Sequence, residues 1–478
     1  MTHKPTLAMT NNDDTICAIS TPAGIGGIAV ARISGPDAVR IADTVWHGKT
    51  LSDAISHTAH LGNIVAPQNN ETLDQAVATI FRAPRSFTGD DVVEFSVHGS
   101  IWIQTELINL LIRQGCRPAE PGEFTMRAFA SGKMDLAEAE AVADVIASTS
   151  RASHRVAMSQ MRGHFSSQLG HLRDQLLELA SLLELELDFS EEDVEFADRR
   201  QLLDLSQTTL QTVERLAESF STGDAIRRGI PVAIIGEPNV GKSTILNALL
   251  GDNRAIVSDI PGTTRDTIED TTDINGMTFR FIDTAGLRQT TDQIENLGIE
   301  RAWEKTTQAK IILWVITPQS TPSYLRSFHK ELTSKCTTGT TILPVLNKSD
   351  LLATQPQKQT TPLPDQDLAT IPPLPISALN NQGIDNLKNE LHHIATASIP
   401  HAADTPDAVI VTNARHYSSL LSAATSLRLV IDGLTTNLPG DLVAQDVRET
   451  LHHLSTITGT ITTPDILATI FSRFCIGK

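Results

Sequence analysis

The sequence has few aromatic residues, few cysteines and no long apolar run, and each shortage excludes a class of protein. Aromatic residues make up 4% of the 478 residues, so extensive stacking platforms for nucleic-acid bases are not expected. The formal net charge of −18 argues against a broad basic surface for nucleic acid. No apolar run approaches the ~20 residues that span a bilayer, and Met1 to Asp14 lacks the apolar core of a signal peptide. These features predict a cytoplasmic enzyme.

The four cysteines are Cys17, Cys116, Cys336 and Cys475, and no two of them form a CxxC pair. They are therefore predicted to be reduced thiols. Cys475 lies near the end of the chain, in Cys-Ile-Gly-Lys, which fits prenylation poorly because it lacks the second aliphatic residue and ends in lysine. The other hypothesis is chemistry on a substrate, which requires neighbours that lower the pKa of the thiol.

A phosphate-binding loop lies in the middle of the chain, where Gly236 to Ser243 reads GEPNVGKS. Ile230 to Ile235 is predicted to be a strand leading into this loop, and Ser243 to Leu250 has helical composition, so the motif has the context that it requires. In such a loop the backbone N–H groups point at phosphates, Lys242 reaches the β and γ phosphates, and the hydroxyl of Ser243 binds Mg²⁺. The segment predicts a site for a nucleoside triphosphate.

The base is indicated by Asn347 to Asp350, which reads NKSD, and by Ser377 to Leu379, which reads SAL. The carboxylate of Asp350 accepts two hydrogen bonds from the N1–H and the exocyclic amine of guanine, whereas adenine has no such donor pair. A wrong base is disfavoured by about 1–3 kcal/mol, the scale of one bidentate contact. Asn347 is expected to tie this segment to the phosphate-binding loop, with the stem of Lys348 against the purine. The sequence thus predicts a GTP site.

The sequence permits two interpretations of the residue that positions the attacking water. Asp283 to Gly286 reads DTAG and follows a predicted strand, Met277 to Ile282, which would place Asp283 near Mg²⁺. Leu287 comes next, and its side chain cannot orient water as the glutamine of many Ras-like GTPases does. Glu295 is one hypothesis for this role, and the alternative is a solvated carboxylate at the start of a helix.

Two further residues indicate ion sites beside the phosphates. Thr264, in the segment Ser258 to Asp266, is expected to bind Mg²⁺ when the γ-phosphate is present. Asn239, within the phosphate-binding loop, offers a neutral oxygen to a monovalent cation. Such a cation would supply the positive charge that an arginine supplies elsewhere, a contribution of about 10³–10⁵ in rate.

Several strings outside these motifs identify a family. They are Arg32-Ile-Ser-Gly35, Ser86-Phe-Thr-Gly89, Pro121-Gly-Glu-Phe124, Lys133-Met-Asp-Leu-Ala-Glu-Ala-Glu140 and Phe474-Cys-Ile-Gly-Lys478. Together with the GTPase motifs they extend over almost the whole chain. The sequence resembles the bacterial tRNA modification GTPases of the MnmE family, also called TrmE.

The resemblance implies a potassium-stimulated GTPase whose G domains dimerise across the nucleotide, and it implies that Glu295 is the general base. It implies that K⁺ is held by Asn239, Ser258, Ile260 and Thr263. It also implies a 5-formyltetrahydrofolate site in the N-terminal domain, at Arg32, Glu94, Lys133 and Lys478. Arginine and lysine pair with carboxylates such as those of the folate tail, and Glu94 accepts donors from a pterin ring. Without the resemblance, these four residues would be interpreted as surface charges or structural ion pairs.

The predicted catalytic residues are Glu295, Lys242 and Cys475. The predicted GTP-binding residues form four groups along the chain: Asn239, Val240, Gly241, Lys242, Ser243 and Thr244; Ser258, Asp259, Ile260, Pro261, Gly262, Thr263 and Thr264; Asp283, Thr284, Ala285 and Gly286; and Asn347, Lys348, Ser349, Asp350, Ser377, Ala378 and Leu379. Mg²⁺ is expected at Ser243 and Thr264.

The predicted fold is a multidomain α/β and α protein with an inserted Ras-like P-loop G domain. Short β-like runs such as Ile16 to Ile19 and Val92 to Val97 precede residue 132, and helical periodicity begins near Met134, with a break at Asp188 to Asp193. We expect an N-terminal α+β domain over residues 1–132 for tetrahydrofolate binding and dimerisation. A helical domain over 133–228 and 401–478 is interrupted by a G domain over 229–400. The polar segment Thr354 to Pro375 is expected to be a surface loop.

Two functions are compatible with the sequence. In the first, the family resemblance implies that the chain acts with the FAD protein MnmG, in a heterotetramer built on a homodimer. It would use GTP hydrolysis and a folate one-carbon unit to install a (carboxymethyl)aminomethyl group at C5 of the wobble uridine of certain tRNAs. The acidic charge is then explained by a partner that supplies basic surface, or by a local basic patch at Arg151 to Arg162. In the second, the chain is a regulatory or assembly GTPase with no role in tRNA chemistry, because a G domain does not fix its downstream use.

Overall fold

A computed structural model describes residues 14–188, 199–251, 270–282, 307–336, 339–353, 372–398, 409–472 and 474–477. The chain divides into two compact units. The first contains Met1–Ala143, Gln160–Gln207 and Thr425–Lys478, and the second contains Asp144–Ser159 and Thr208–Ala424. None of the described helices combines the length and the apolar character needed to cross a membrane.

The strands are β1 (Ile16–Ile19), β2 (Gly26–Ser34), β3 (Trp46–His47), β4 (Thr58–Ala66), β5 (Glu71–Phe81), β6 (Val92–Gly99), β7 (Arg117–Pro118), β8 (Ile230–Gly236), β9 (Asp270–Ile274), β10 (Met277–Ile282), β11 (Ile311–Ile316), β12 (Thr341–Leu346) and β13 (Leu374–Pro375). The helices are α1 (Ala38–Thr44), α2 (Ile101–Arg113), α3 (Glu123–Ala130), α4 (Leu136–Ala147), α5 (Arg151–Met161), α6 (His164–Asp188), α7 (Arg199–Glu218), α8 (Phe220–Arg228), α9 (Lys242–Leu250), α10 (Pro322–Lys335), α11 (Asp350–Ala353), α12 (Ile384–Ser398), α13 (Ala414–Thr435), α14 (Gly440–Thr458) and α15 (Pro464–Phe471).

The first unit is built on a seven-stranded sheet in the order β3-β4-β5-β6-β2-β1-β7. Neighbouring strands are antiparallel except β1 and β7, which are parallel. Along β2, Ala29, Ala31 and Ile33 are buried while Val30 and Arg32 are partly exposed, the alternation of a strand with one covered face. Helices α1 and α2 contribute side chains to the core on that covered face. Arg32 therefore lies on the opposite face of the sheet.

The same unit contains a helical pair formed by α6 and α14. Leu172, Leu176, Leu179 and Leu183 of α6 are all buried, as their three- and four-residue spacing predicts for one helix face. Helix α6 ends at Asp188, where the sequence predicted a break, although the rest of the predicted break lies outside the described residues.

The second unit contains a six-stranded sheet in the order β13-β12-β11-β8-β10-β9. All neighbouring strands are parallel except the β9–β10 hairpin. Strand β11 is buried at every residue because both faces of the sheet are covered. Helices α9 and α12 contribute to the core on one face, and α10 contributes to the core on the other. This is a doubly wound α/β sheet, which binds ligands beyond the carboxyl ends of its parallel strands.

The predicted multidomain α/β and α fold is confirmed. The predicted strands at Ile16–Ile19, Met277–Ile282 and Thr341–Leu346 have the bounds that the sequence indicated. Helices were expected in the N-terminal α+β segment, but the sequence analysis did not give the positions of α1, α2 and α3. The predicted domain boundaries stay predictions, and the expected loop at Thr354 to Pro375 lies mostly outside the described residues.

A buried group of charged side chains holds α3 in the first unit. Glu123 is 1% exposed and accepts hydrogen bonds from the Nη1 of Arg117 at 3.0 Å, the Nη2 of Arg127 at 3.2 Å and the backbone N–H of Glu120 at 2.8 Å. Asp14 contacts both arginines. Burial raises the pKa of Asp14, but hydrogen bonds from Arg117 and Arg127 outweigh it and hold the pKa below its usual value.

We expect Glu123→Gln to lower the free energy of unfolding of the first unit by about 3 kcal/mol, because the buried arginine would lose a negative partner. Urea denaturation followed by circular dichroism measures the change, and hydrogen exchange of the α3 amides assigns it to this unit. Glu120→Gln is the control because the Glu120 side chain is exposed. Equal stability of the two variants would contradict the structural role of Glu123.

Candidate functional site

The phosphate-binding loop connects β8 to α9 at the carboxyl edge of the second sheet. Gly236 has φ of 152°, and a Cβ there would lie 2.3 Å from the carbonyl oxygen of Val315. Gly241 has φ of 96°, and a Cβ there would lie 2.4 Å from Nδ2 of Asn347. Glycine is therefore needed at both positions, because a Cβ would clash with a neighbouring atom and because the backbone has positive φ. Neighbouring strands and loops fix the path of the loop at these two points.

Lys242 is held by the loop itself. Its Nζ donates hydrogen bonds to the carbonyl oxygens of Gly236 at 3.0 Å and Glu237 at 2.8 Å. Burial lowers the pKa of the Lys242 ammonium. An ammonium group has three protons, so one remains for a phosphate oxygen. Ser243 and Thr244 follow in the first turn of α9 and are partly buried.

Asn347 links the phosphate-binding loop to the SAL segment. Its side chain is buried, and its Nδ2 donates to the carbonyl oxygen of Val240 at 2.8 Å. Its Oδ1 accepts the backbone N–H of Ala378 at 3.1 Å. One carboxamide thus uses its donor on one loop and its acceptor on another. The tie to the phosphate-binding loop is the one expected from the sequence.

The surroundings of the expected base are formed by Lys348, Asp350 and the SAL segment. Lys348 has φ of 59°, and its Nζ donates to the carbonyl oxygen of Asn239 at 2.8 Å. Asp350 begins α11 and is partly exposed. The Ser377 hydroxyl is buried and has no hydrogen-bond partner among the described residues. A buried unpaired hydroxyl beside Ala378 fits a polar ligand at this place.

Part of the predicted GTP site falls outside the described residues. This part comprises Glu295, predicted to be catalytic, the loop residues Ser258 to Thr264 and the DTAG residues Asp283 to Gly286. Strand β10 ends at Ile282, directly before Asp283, as the sequence predicted. The remaining predicted GTP-binding residues lie at the ends of β8 and β12 and in the SAL segment, all in the second unit.

A second group of predicted residues lies in the first unit. The Nε and Nη2 of Arg32 are each 2.8 Å from Oε1 of Glu94, on paired positions of β2 and β6. The guanidinium of Arg32 lies over the rings of Phe87 and Phe124, 5.4 Å and 5.5 Å from their centroids. Lys133 is exposed, and its Nζ contacts the carbonyl oxygen of Pro84. Lys478 lies outside the described residues.

Cys475 lies near this group. The backbone N–H of Gly122 donates to the carbonyl oxygen of Cys475 at 3.4 Å, and Phe124, two residues later, contacts Arg32. The Cys475 side chain is exposed. The rings of Phe87 and Phe124 were not assigned from the sequence as site residues. Their positions within the SFTG and PGEF strings are the signal that could have identified them.

A doubly wound sheet with a GKS loop, an asparagine bound to that loop, and SAL at the same edge defines a P-loop GTPase. The family model described as "MnmE helical domain" matches residues 136–475, and the model "GTP-binding protein TrmE N-terminus" matches residues 15–133. The chain belongs to the MnmE (TrmE) family.

Close relatives agree with this assignment. A protein from Parabacteroides distasonis, named tRNA modification GTPase MnmE, is 50% identical over 469 residues, which is 97% of this chain and all of that protein. Proteins of the same name from Cytophaga hutchinsonii and Bacteroides fragilis are each 48% identical, over 99% and 98% of this chain respectively and over the whole of each relative. The similarity therefore covers both units.

We expect Asn347→Ala to weaken GDP binding by at least about tenfold, because two loops of the site would lose their shared carboxamide and leave the N–H of Ala378 and the carbonyl of Val240 unpaired. Calorimetric titration of the purified variant with GDP measures the loss. Asn380→Ala is the matched control, since Asn380 is exposed in the same region. Wild-type affinity in Asn347→Ala would show that the link between the loops does not support the site.

Proposed function

We propose that the chain is a potassium-stimulated GTPase that acts with an FAD protein of the MnmG type on tRNA. In this reaction the pair adds a (carboxymethyl)aminomethyl group to C5 of the wobble uridine of certain tRNAs, with a folate such as 5-formyltetrahydrofolate supplying one carbon. The observation that carries the proposal is the Asn347 link between the phosphate-binding and SAL loops, in a chain whose relatives are named tRNA modification GTPases.

The chemistry assigned to the second unit follows from its charges and donors. Two protons of the Lys242 ammonium are held by the carbonyl oxygens of Gly236 and Glu237, so the third would bind the β and γ phosphates of GTP. The N–H groups at the start of α9 would donate to the same anion. Ser243, with Thr264, would hold Mg²⁺, which neutralises phosphate charge when bound. Glu295 would take a proton from the water that attacks the γ-phosphorus. As the new P–O bond forms, the bond between the γ-phosphorus and the β–γ bridging oxygen would break, which releases GDP and inorganic phosphate.

A monovalent cation is proposed beside the phosphates, held by Asn239 together with Ser258, Ile260 and Thr263. The fit of Asn239 is supported by its place in the loop. It has φ of 62°, its side chain is exposed, and its backbone carbonyl already binds Lys348. The neutral amide oxygen is thus available to a cation without adding charge near the phosphates.

The folate is proposed at Arg32, Glu94, Lys133 and Lys478. The Nε of Arg32 donates a hydrogen bond to Oε1 of Glu94, and its Nη2 forms an ion pair with the same oxygen, while Oε2 has no hydrogen-bond partner among the described residues. This oxygen is suited to N–H donors of a pterin ring, while Phe87 beside Arg32 offers a ring face. Cys475 is proposed as a further residue of this site because its backbone carbonyl oxygen accepts the N–H of Gly122, in the PGEF segment.

A homodimer is proposed through the first unit, which carries the exposed apolar side chains Ile25, Ile28, Ile101 and Trp102. Gly26 pairs with Gly99 at the ends of β2 and β6, and α2 begins two residues later, so these side chains share one edge of the sheet. Exposed apolar patches of this kind mark interaction surfaces.

Helix α5 exposes Arg151 and Arg155, a local basic surface that suits tRNA despite the acidic charge of the chain.

The domain organisation is proposed as four segments with the boundaries predicted above: residues 1–132, 133–228, 229–400 and 401–478. A cytoplasmic location is proposed with it, since the reaction requires tRNA.

GTP turnover in matched KCl and NaCl tests the GTPase proposal. We expect at least about tenfold faster turnover in KCl, because a correctly placed cation stabilises the phosphoryl-transfer charge. Glu295→Ala should keep its GDP affinity and lose about 10²–10⁴ in kcat, the contribution of a general base, while Asp292→Ala in the same segment stays active.

Equal and slow turnover in both salts would contradict the cation site and favour a GTPase whose activator is another protein. Unchanged kcat in Glu295→Ala would remove Glu295 from the catalytic role. Sedimentation of the same samples tests the dimer, and a monomer would contradict it.

Reconstitution with the flavoprotein, tRNA, GTP and folate tests the role in tRNA chemistry. We expect Arg32→Ala to weaken folate binding by at least about tenfold and to abolish the modified nucleoside, with GTP turnover retained, because a charged hydrogen-bond partner is lost. Nucleoside mass spectrometry is the readout, and Arg85→Ala, exposed in the same domain, is the control. A full yield of product from Arg32→Ala would contradict the folate site. The absence of product from the wild type would favour the assembly GTPase.

A further inference from the structure

The orientation of Lys242 depends on a residue whose side chain is anchored elsewhere. Glu237 supplies one of the two carbonyl oxygens that bind the Lys242 ammonium, at 2.8 Å. Its side chain extends away from the loop, and its Oε2 accepts the hydroxyl of Ser320 at 2.9 Å. Backbone and side chain of Glu237 therefore connect the phosphate-binding lysine to the turn after β11.

Ser320 is itself fixed in that turn. It is 9% exposed, and its backbone N–H donates to the carbonyl oxygen of Thr317 at 3.0 Å. Its Oγ in turn accepts the N–H of Thr317 at 3.3 Å, and its hydroxyl donates to Oε2 of Glu237 at 2.9 Å, a shorter contact than the 3.5 Å that separates it from Oγ1 of Thr317. Thr317 directly follows β11, which pairs in parallel with β8 up to Gly236. The turn is thus a fixed part of the sheet edge.

The charge of Glu237 acts on the phenol of Tyr324, in α10. Burial, followed by the charges of Glu237 and Glu331, raises the pKa of Tyr324 to about 12. The phenol therefore stays neutral near neutral pH. The serine hydroxyl is the donor that selects one position for the carboxylate.

We propose that Ser320 is a positioning residue for the phosphate-binding lysine, acting through Glu237. The Ser320 hydroxyl holds the side chain of Glu237, and this side chain fixes the backbone carbonyl of the same residue. The carbonyl accepts one proton of the Lys242 ammonium, and this orients the remaining proton toward the phosphates. The inference rests on the proposal that Lys242 binds the β and γ phosphates. It adds a requirement that no nucleotide motif of the sequence contains, since Ser320 lies between the DTAG and NKSD segments.

The test is GDP and GTP binding by Ser320→Ala, measured by calorimetry on the full chain. We expect both dissociation constants to rise about fivefold, the effect of one lost hydrogen bond. Ser320→Thr keeps the hydroxyl and should restore binding. Ser323→Ala, which removes an exposed hydroxyl from the first turn of α10, is the matched control and should bind as the wild type does.

A double-mutant cycle with Glu237→Ala separates positioning from a general structural effect. On the Glu237→Ala background, Ser320→Ala should cause no further loss, because the group through which it acts is absent. An equal additional loss on that background would overturn the proposal, as would wild-type affinity in Ser320→Ala.

If Ser320→Ala fails to fold, Glu237→Ala removes the other partner of the same hydrogen bond, and the Glu237 side chain is partly exposed. Its GDP dissociation constant should then rise about fivefold, and an unchanged value would overturn the proposal. Failure of the wild type to bind GDP would overturn both this inference and the nucleotide site, whereas a missing K⁺ stimulation would affect only the cation proposal.

Discussion

The nucleotide site depends on the carboxamide of Asn347. This buried group donates to the phosphate-binding loop and accepts from the SAL loop, so the two loops share one side chain. Its position requires that β12 and β8 end at the same edge of the sheet, with β11 between them. The glycine at 241 is a consequence, because the asparagine nitrogen occupies the space that a Cβ would need.

Parallel pairing of buried strands supplies this arrangement. Strand β11 is apolar at all six positions and is covered on both faces, which makes the centre of the sheet rigid. The loops that follow these strands therefore keep their positions even though they are polar and contain residues with strained backbone conformations. Asn239 and Lys348 have positive φ at this edge, and each takes part in a hydrogen bond between loops.

In the first unit, the antiparallel sheet brings charged residues together. Arg32 and Glu94 lie opposite each other on paired strands, and the buried group around Glu123 holds the helix that carries Phe124. Fixed charges beside aromatic rings form a surface suited to a flat, polar ligand. The terminal segment near Cys475 joins the same region through Gly122.

The nucleotide class could be determined from the sequence alone, because each motif is a short contiguous string whose chemistry is local. Strand bounds such as those of β10 and β12 were also predictable, since buried parallel strands give continuous apolar runs. Helices α2 and α3 were not located individually, because each is short and follows a strand of the α+β segment. The contacts of Ser320 with Glu237, of Phe124 with Arg32 and of Gly122 with Cys475 were decided only by the tertiary structure. They join residues that are distant in the chain, and strand register and packing, which no local pattern encodes, determine which of them meet.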